Sequence, residues 1–192
     1  YTVILTYISL LISSVGIGFA ATGDPFTALF CLMASGVCDM FDGMIARTRK
    51  KSTEEEKRFG IQLDSLCDIV CFGVLPAAVG IALAEGQSTL LRAASWGFGA
   101  LFILGALIRL AYFNVTEEEM QARGEKRSYY LGLPITVASL ILSVSYFIIA
   151  GLEQVSTIYT LLLLVLAVAF VSKFHMPKIK LKYVVVIAFA GL

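Results

Sequence analysis

Apolar residues run along this chain in long blocks, without the alternation of a strand, and the blocks predict a series of membrane-crossing helices. The first block covers Val3–Ala21 and closes at the turn TGDP, residues 22–25. The second begins after Pro25, carries FTALFCLMASGVC, and continues through Arg47. A charged connector, TRKKSTEEEKRF (48–59), comes next. Ser52 or Thr53 followed three residues later by glutamate is a capping box, so a short surface helix is expected within the connector. A third block spans Gly60–Ala84 and is expected to bend or loosen at Pro76. The fourth covers Leu90–Tyr112, the fifth Tyr129–Gly151 and the sixth Ile158–Val171. A last piece, YVVVIAFAGL, is too short to cross fully and would be a partial or truncated seventh span. Runs approaching 20 residues match the length a helix needs to cross a hydrocarbon core of about 30 Å. The expected fold is all-α: a polytopic transmembrane helical bundle of six full spans and one partial span, forming a single membrane-embedded domain over residues 1–192.

Composition strengthens that reading. Hydrophobic residues make up 58% of the 192 and charged residues only 15%, against about a quarter charged in soluble domains; mean hydropathy is +0.86. The net charge of +1 conceals an uneven distribution. Arg47, Arg49, Lys50, Lys51, Lys57 and Arg58 cluster in one connector, Arg123, Lys126 and Arg127 in the next, and Lys173, Lys178, Lys180 and Lys182 in the last. With the spans above, all three connectors fall on one side, and the other side keeps only Arg92 at a membrane edge. Positive-inside logic makes the crowded side cytoplasmic. Charges that merely border spans exclude nucleic-acid binding; the 173–182 run instead suits anionic lipid headgroups. Cys67 and Cys71 are four apart, but no histidine stands beside them, so the four cysteines read as small buried hydrophobes and not as a zinc site. His175, the single histidine, receives no role. No cleavable signal peptide is expected.

Four carboxylates break the pattern. CDMFDGMIAR (38–47) and GIQLDSLCDIVCF (60–72) place Asp39, Asp42, Asp64 and Asp68 among apolar residues at the cytoplasmic ends of spans two and three. At 100° per residue Asp39 and Asp42 lie about 60° apart, with Gly43 and Ala46 on the same side. Gly60, Asp64 and Asp68 repeat the design at intervals of four. Four negative charges near a membrane interface repel one another and require compensation. Carboxylate oxygens suit a hard ion such as Mg²⁺ or Mn²⁺, and four carboxylates are enough for two ions of the kind that serve in-line phosphoryl displacement. The glycines admit a phosphate-bearing ligand close to the backbone. Cation transport and structural ion pairing are the competing readings. Transport is disfavoured because the acids sit at one end of their spans, away from the midplane, and no repeat with interrupted helices is evident.

Asp39-x-x-Asp42-Gly43-x-x-Ala46-Arg47, twelve residues, then Gly60-x-x-x-Asp64-x-x-x-Asp68 resembles the hallmark motif of the CDP-alcohol phosphatidyltransferases. FGIQLDSLCDIVCFGVLPA, RLAYFNV and YYLGLPIT narrow the resemblance to the bacterial phosphatidylserine synthase branch, over roughly residues 1 to 175. Two features depart from that pattern: the longer gap between Arg47 and Gly60, and Thr6 and Ser9 where relatives commonly place threonine and asparagine.

The resemblance implies transfer of a phosphatidyl group from CDP-diacylglycerol to L-serine, releasing CMP, by a homodimer in the cell membrane with its active site facing the cytoplasm. By the same resemblance Asp39, Asp42 and Asp64 would bind one divalent ion and Asp39, Asp64 and Asp68 a second. Asp68 would also act as general base, and Gly43, Arg47 and Gly60 would contact the CDP group. Arg109 lies inside span four, where an unpaired guanidinium is costly. Snorkelling is one account of it, and a partner in the serine carboxylate or a lipid phosphate is the other. Tyr112 and Asn114 lie nearby and complete a candidate serine pocket, with Ser65 and Tyr130 as weaker members. Acceptors such as glycerol phosphate or inositol phosphate are the alternative within the same chemistry. Near its cytoplasmic end span four offers only Arg109, with Arg123, Lys126 and Arg127 out on a connector, and that favours an acceptor without phosphate.

Overall fold

The computed structural model describes residues 2–48, 53–124, 129–172 and 175–177. Among these it is a bundle of helices with one small ladder. Helix α1 is Thr2–Ala21 and α2 is Pro25–Thr48; they form the most extensive helix pair of the bundle. Their link is the predicted turn, with Gly23 at φ 83°. Asp24 closes it by accepting the Thr27 amide at 3.0 Å, ahead of Pro25 in the first helical turn. Hydrogen bonding from Thr27 holds the Asp24 carboxyl below the ordinary carboxylate range.

The third block is one helical rod with a change of pitch inside it. Helix α3, Glu54–Asp68, starts at the predicted box: Thr53 accepts the Glu56 amide at 3.2 Å, and Glu56 accepts the Thr53 amide at 3.2 Å. The surface helix expected in the connector is therefore the first part of α3, continuous with the span. A π-helical turn, Ile69–Val74, then leads into α4, Leu75–Leu83. In the π turn the Leu75 amide donates five residues back, to the Val70 carbonyl. Pro76 brings no amide to donate, and the Ser139 hydroxyl approaches the Phe72 carbonyl at 3.4 Å. The bend expected at Pro76 is thus a widened turn that precedes the proline.

Helix α5 runs Thr89–Ala122, 34 residues. At 1.5 Å per residue it is about 51 Å long, well beyond a hydrocarbon core of about 30 Å. Its polar last turns, from Asn114 on, extend past the core. The connector expected from residue 113 is therefore helical through Ala122. A short strand β1, Tyr129–Leu131, precedes α6, Ile135–Ile149; α7 is Val155–Val171, and β2 is His175–Pro177. β1 and β2 pair antiparallel, Tyr130 opposite Met176. The fifth span was expected from Tyr129, but Pro134 precedes the first helical residue and Gly132 at φ 77° breaks the helical path. Among the described residues the fold is all-α, as expected, apart from this one short ladder.

The architecture is a multi-pass membrane helical bundle. Among the described residues four stretches are long and apolar enough to cross: Val3–Ala21, Pro25–Asp42, Arg58–Leu83 and Thr89–Met120. Helices α6 and α7, at 15 and 17 residues, are shorter apolar helices. Four of the six expected spans thus meet the crossing length by themselves. The YVVVIAFAGL piece lies outside the described residues. The core is shared by α1, α2, the π turn, α4, α5, α6 and α7, with Leu29, Phe72, Leu75, Phe102, Leu142 and Leu163 within 2% of full burial. Large apolar side chains such as Leu11, Leu66, Val165 and Val168 face outward, the inversion expected of a bundle solvated by lipid. Cys67 and Cys71 are buried free thiols, as read from the sequence, whereas Cys31 and Cys38 are half-buried.

Candidate active site

The carboxylates come from two helices. Asp39 and Asp42 lie in the second half of α2; Asp64 and Asp68 close α3, with the π turn beginning at the next residue. One carboxylate oxygen from each of Asp39, Asp64 and Asp68 lies within 4.8 Å of the other two. Oxygens around an octahedral ion with bonds of 2.0–2.1 Å sit about 3–4 Å apart. Three hard donors at this spacing fit a small divalent cation after a modest contraction, and nothing soft or nitrogenous in the trio argues for another metal.

Asp42 stands apart. It is 8% exposed, and its carboxylate accepts the hydroxyl of Thr6 from α1. It remains within Coulombic reach of Asp39, Asp64 and Asp68. The four acids expected together therefore divide into a converging trio and a fourth member held by the neighbouring helix. Thr6 is not among the residues expected at the site. Its signal is visible nonetheless, because Thr6, Ser9 and Ser13 recur along one face of a helix without charge.

Of the residues expected to contact CDP, Gly43 and Arg47 follow the acids in the last turns of α2. Gly60 lies one turn before Asp64, and a Cβ placed there would meet nothing within 4 Å. That face of α3 is open to a ligand approaching the backbone.

The expected serine pocket is only partly assembled. Asn114 Nδ2 donates to Ser65 Oγ at 2.7 Å, and Ser65 Oγ donates to the Ile61 carbonyl at 2.9 Å. These two residues meet directly beside Asp64. Arg109 turns elsewhere, about 140° around α5 from Asn114 at 100° per residue. It is 5% exposed, its Nε donates to the Leu133 carbonyl at 3.1 Å, and its guanidinium lies 5.8 Å from the Phe113 ring centroid. Gly132 packs against it: a Cβ there would stand 3.3 Å from Arg109 Nε and 3.1 Å from the Ser172 carbonyl. The fork is thus built into the junction of α5, α7 and the segment entering α6. Tyr112 is 46% exposed, and Tyr130 belongs to β1 opposite Met176.

The chain is similar to known proteins over most of its length. The family model described as CDP-alcohol phosphatidyltransferase matches residues 2–172. Over 140 residues the chain is 36% identical to a CDP-diacylglycerol–serine O-phosphatidyltransferase of Saccharomyces cerevisiae, covering 70% of this chain and 48% of that protein. It is 26% identical over 183 residues to the Helicobacter pylori protein of the same name, covering 92% of this chain and 71% of the relative. An archaetidylserine synthase of Methanothermobacter thermautotrophicus is 27% identical over 173 residues, covering 90% of this chain and 64% of the relative. The chain spans about half the length of the yeast relative. With nearly its whole described length matched and the motif aspartates facing one another across α2 and α3, the chain belongs to the CDP-alcohol phosphatidyltransferase family.

Proposed function

We propose that this chain transfers the phosphatidyl group of CDP-diacylglycerol to the hydroxyl of L-serine, yielding phosphatidylserine and CMP. The observation that carries the reading is the convergence of Asp39, Asp64 and Asp68 in a chain of this family. Serine as acceptor draws its support from the relatives, whose names carry serine in a yeast, a bacterium and an archaeon.

In this reading Asp39, Asp64 and Asp68 hold one divalent ion, and Asp39, Asp42 and Asp64 hold a second. Bound Mg²⁺ or Mn²⁺ supplies positive charge that offsets the diphosphate of the donor and the charge developing on the leaving CMP. Gly43 and Gly60 let the nucleotide diphosphate approach the backbone, and Arg47 offers a forked donor to it. The serine hydroxyl attacks the phosphorus that carries diacylglycerol. The bond from that phosphorus to the CMP oxygen breaks as the new ester bond forms. The hydroxyl proton passes to the Asp68 carboxylate, and from there to solvent. No covalent intermediate on the chain is needed.

Asn114 and Ser65, joined beside Asp64, form the acceptor side of the site with Tyr112, and Arg109 contributes its charge from behind the Leu133 junction. The active site faces the cytoplasm, on the side of the basic connectors. The 173–182 run meets anionic lipid headgroups there. Helices α6 and α7 complete six spans, and two copies of the single domain assemble as a homodimer.

The test is direct. Purified protein in micelles containing CDP-diacylglycerol is expected to release CMP only when serine and Mn²⁺ are both supplied, and to stop when EDTA is added. CMP release with glycerol phosphate or inositol phosphate in place of serine would move the acceptor assignment. No release with any alcohol would refute the transferase reading.

A further inference from the structure

Helix α1 carries no charge, yet it buries three hydroxyls on one stripe: Thr6, Ser9 and Ser13 are 7%, 4% and 0% exposed. At 100° per residue they fall within an arc of about 60°. Two of them reach the elements that hold the aspartates. The Thr6 hydroxyl donates to Asp42 of α2 across 36 residues of sequence. The Ser9 hydroxyl donates to the Ser35 carbonyl of α2 at 3.1 Å and stands 3.6 Å from Cys71 Sγ in the π turn that follows Asp68.

We infer that Thr6 is a positioning residue of the metal site: its hydroxyl engages one oxygen of Asp42 and leaves the other oriented for an ion. A carboxylate only 8% exposed has little access to water, so the rotation of its plane is decided by whichever donor the protein supplies. The other three acids lie together, and α1 supplies the donor to the one acid outside the trio. Ser9, one turn on, ties α2 to the π turn and so keeps the two aspartate-bearing helices in register with that donor. The arrangement is that of an outer hydrogen bond orienting a metal ligand, whose loss typically weakens metal affinity about 10–100-fold. The inference deepens the proposed function and rests on it in one respect, that Asp42 is a metal ligand.

Titration of metal-stripped full chain with Mn²⁺ in detergent micelles, followed by electron paramagnetic resonance of the free ion, reads this without turnover. Thr6→Val is expected to weaken Mn²⁺ binding about tenfold or more, while Thr6→Ser, which keeps the donor, binds like the wild type. Asp42→Asn supplies the discriminating arm. If Thr6 acts through Asp42, adding Thr6→Val to Asp42→Asn weakens binding no further. An equal loss in the Asp42→Asn background would mean that Thr6→Val acts on the bundle as a whole, and would overturn the inference. Wild-type affinity in Thr6→Val would overturn it too, with the transferase reading intact. A wild-type chain that binds no Mn²⁺ would overturn both.

Discussion

Asn114 of α5 donates to the Ser65 hydroxyl of α3 at 2.7 Å, one residue from the metal-ligand candidate Asp64. Ser65 passes the bond on to the Ile61 carbonyl at 2.9 Å. The contact ties the long α5, whose end extends past the membrane core, to the helix that carries half of the acidic cluster. Removing Ser65 takes this acceptor from the Asn114 amide, and removing Asn114 leaves Ser65 only its bond to Ile61, in a part-buried setting. Ser65→Ala and Asn114→Ala are each expected to cost about 1 kcal/mol of stability. Because they share one bond, the double variant should cost about 1 kcal/mol less than the sum of the singles. Chemical denaturation of the four proteins in micelles checks this, and strict additivity would show that the bond carries no coupling.

Asp64 tests the metal clamp most sharply. It is a member of the trio and is assigned to both ions, so Asp64→Asn is expected to abolish serine-dependent CMP release. The same change removes one of three negative charges whose oxygens lie within 4.8 Å of one another. Thermal stability without metal should therefore hold or rise. Wild-type protein should melt higher when Mn²⁺ is added, by mass action on the folded state, and Asp64→Asn should lose that increment. Near-normal turnover by this variant, with the usual metal requirement, would remove Asp64 from the clamp.

Asp68 and Asp39 are both in the trio but differ in expected duty. Asp68 closes α3 where the π turn begins and is assigned the serine proton; Asp39 is assigned to ligation alone. Asp68→Asn is expected to lower kcat by a factor of about 10²–10⁴, the range of general-base contributions, with the KM for CDP-diacylglycerol changed far less. Asp39→Asn should impair donor binding as well. Steady-state titration of both substrates separates the two. Equal loss of donor binding in the two variants would make Asp68 first a ligand, with another group taking the proton.

The parts of this molecule legible in the sequence are those whose cause is local. The turn at 22–25 and the start of α2 follow from Gly23, Asp24 and Pro25; the capping box at Thr53 follows from its own four residues. The meeting of Asp39 with Asp64 and Asp68 follows from helical periodicity on two helices joined by a short connector. Features decided by partners distant in sequence were not legible. The π turn depends on what donates to the carbonyls ahead of Pro76, and one such donor, Ser139, lies 67 residues away. Thr6 finds Asp42 only when α1 packs on α2. The late start of α6 reflects Gly132 and Pro134 together with a ladder to residues 175–177, and nothing in YYLGLP announces that partner. Arg109 and Asn114, five residues apart, read as one pocket but face different neighbours.

Arg109 is the case in which two duties can be told apart by experiment. Its Nε serves the Leu133 carbonyl at 3.1 Å, its side chain is 5% exposed, and Gly132 leaves room for it. Lysine keeps the charge but has no Nε donor partway along its stem and no planar fork. Arg109→Lys should therefore lose the hold on Leu133 and lower the melting temperature, because a buried carbonyl loses its donor. If the guanidinium also serves the serine carboxylate, the KM for serine should rise about 10–100-fold, the range set by a charge-assisted bond of roughly 1.5–3 kcal/mol, while the KM for CDP-diacylglycerol moves much less. The Leu133 contact alone would lower stability and leave the two KM values in their original ratio. A snorkelling residue would tolerate the exchange on both counts. Melting curves and serine titrations of the same preparation measure both effects. We expect a lower melting temperature with the two KM values in their original ratio, which confines Arg109 to the junction and leaves Asn114 as the leading contact for the acceptor; a selective rise in the serine KM would return the guanidinium to the acceptor itself.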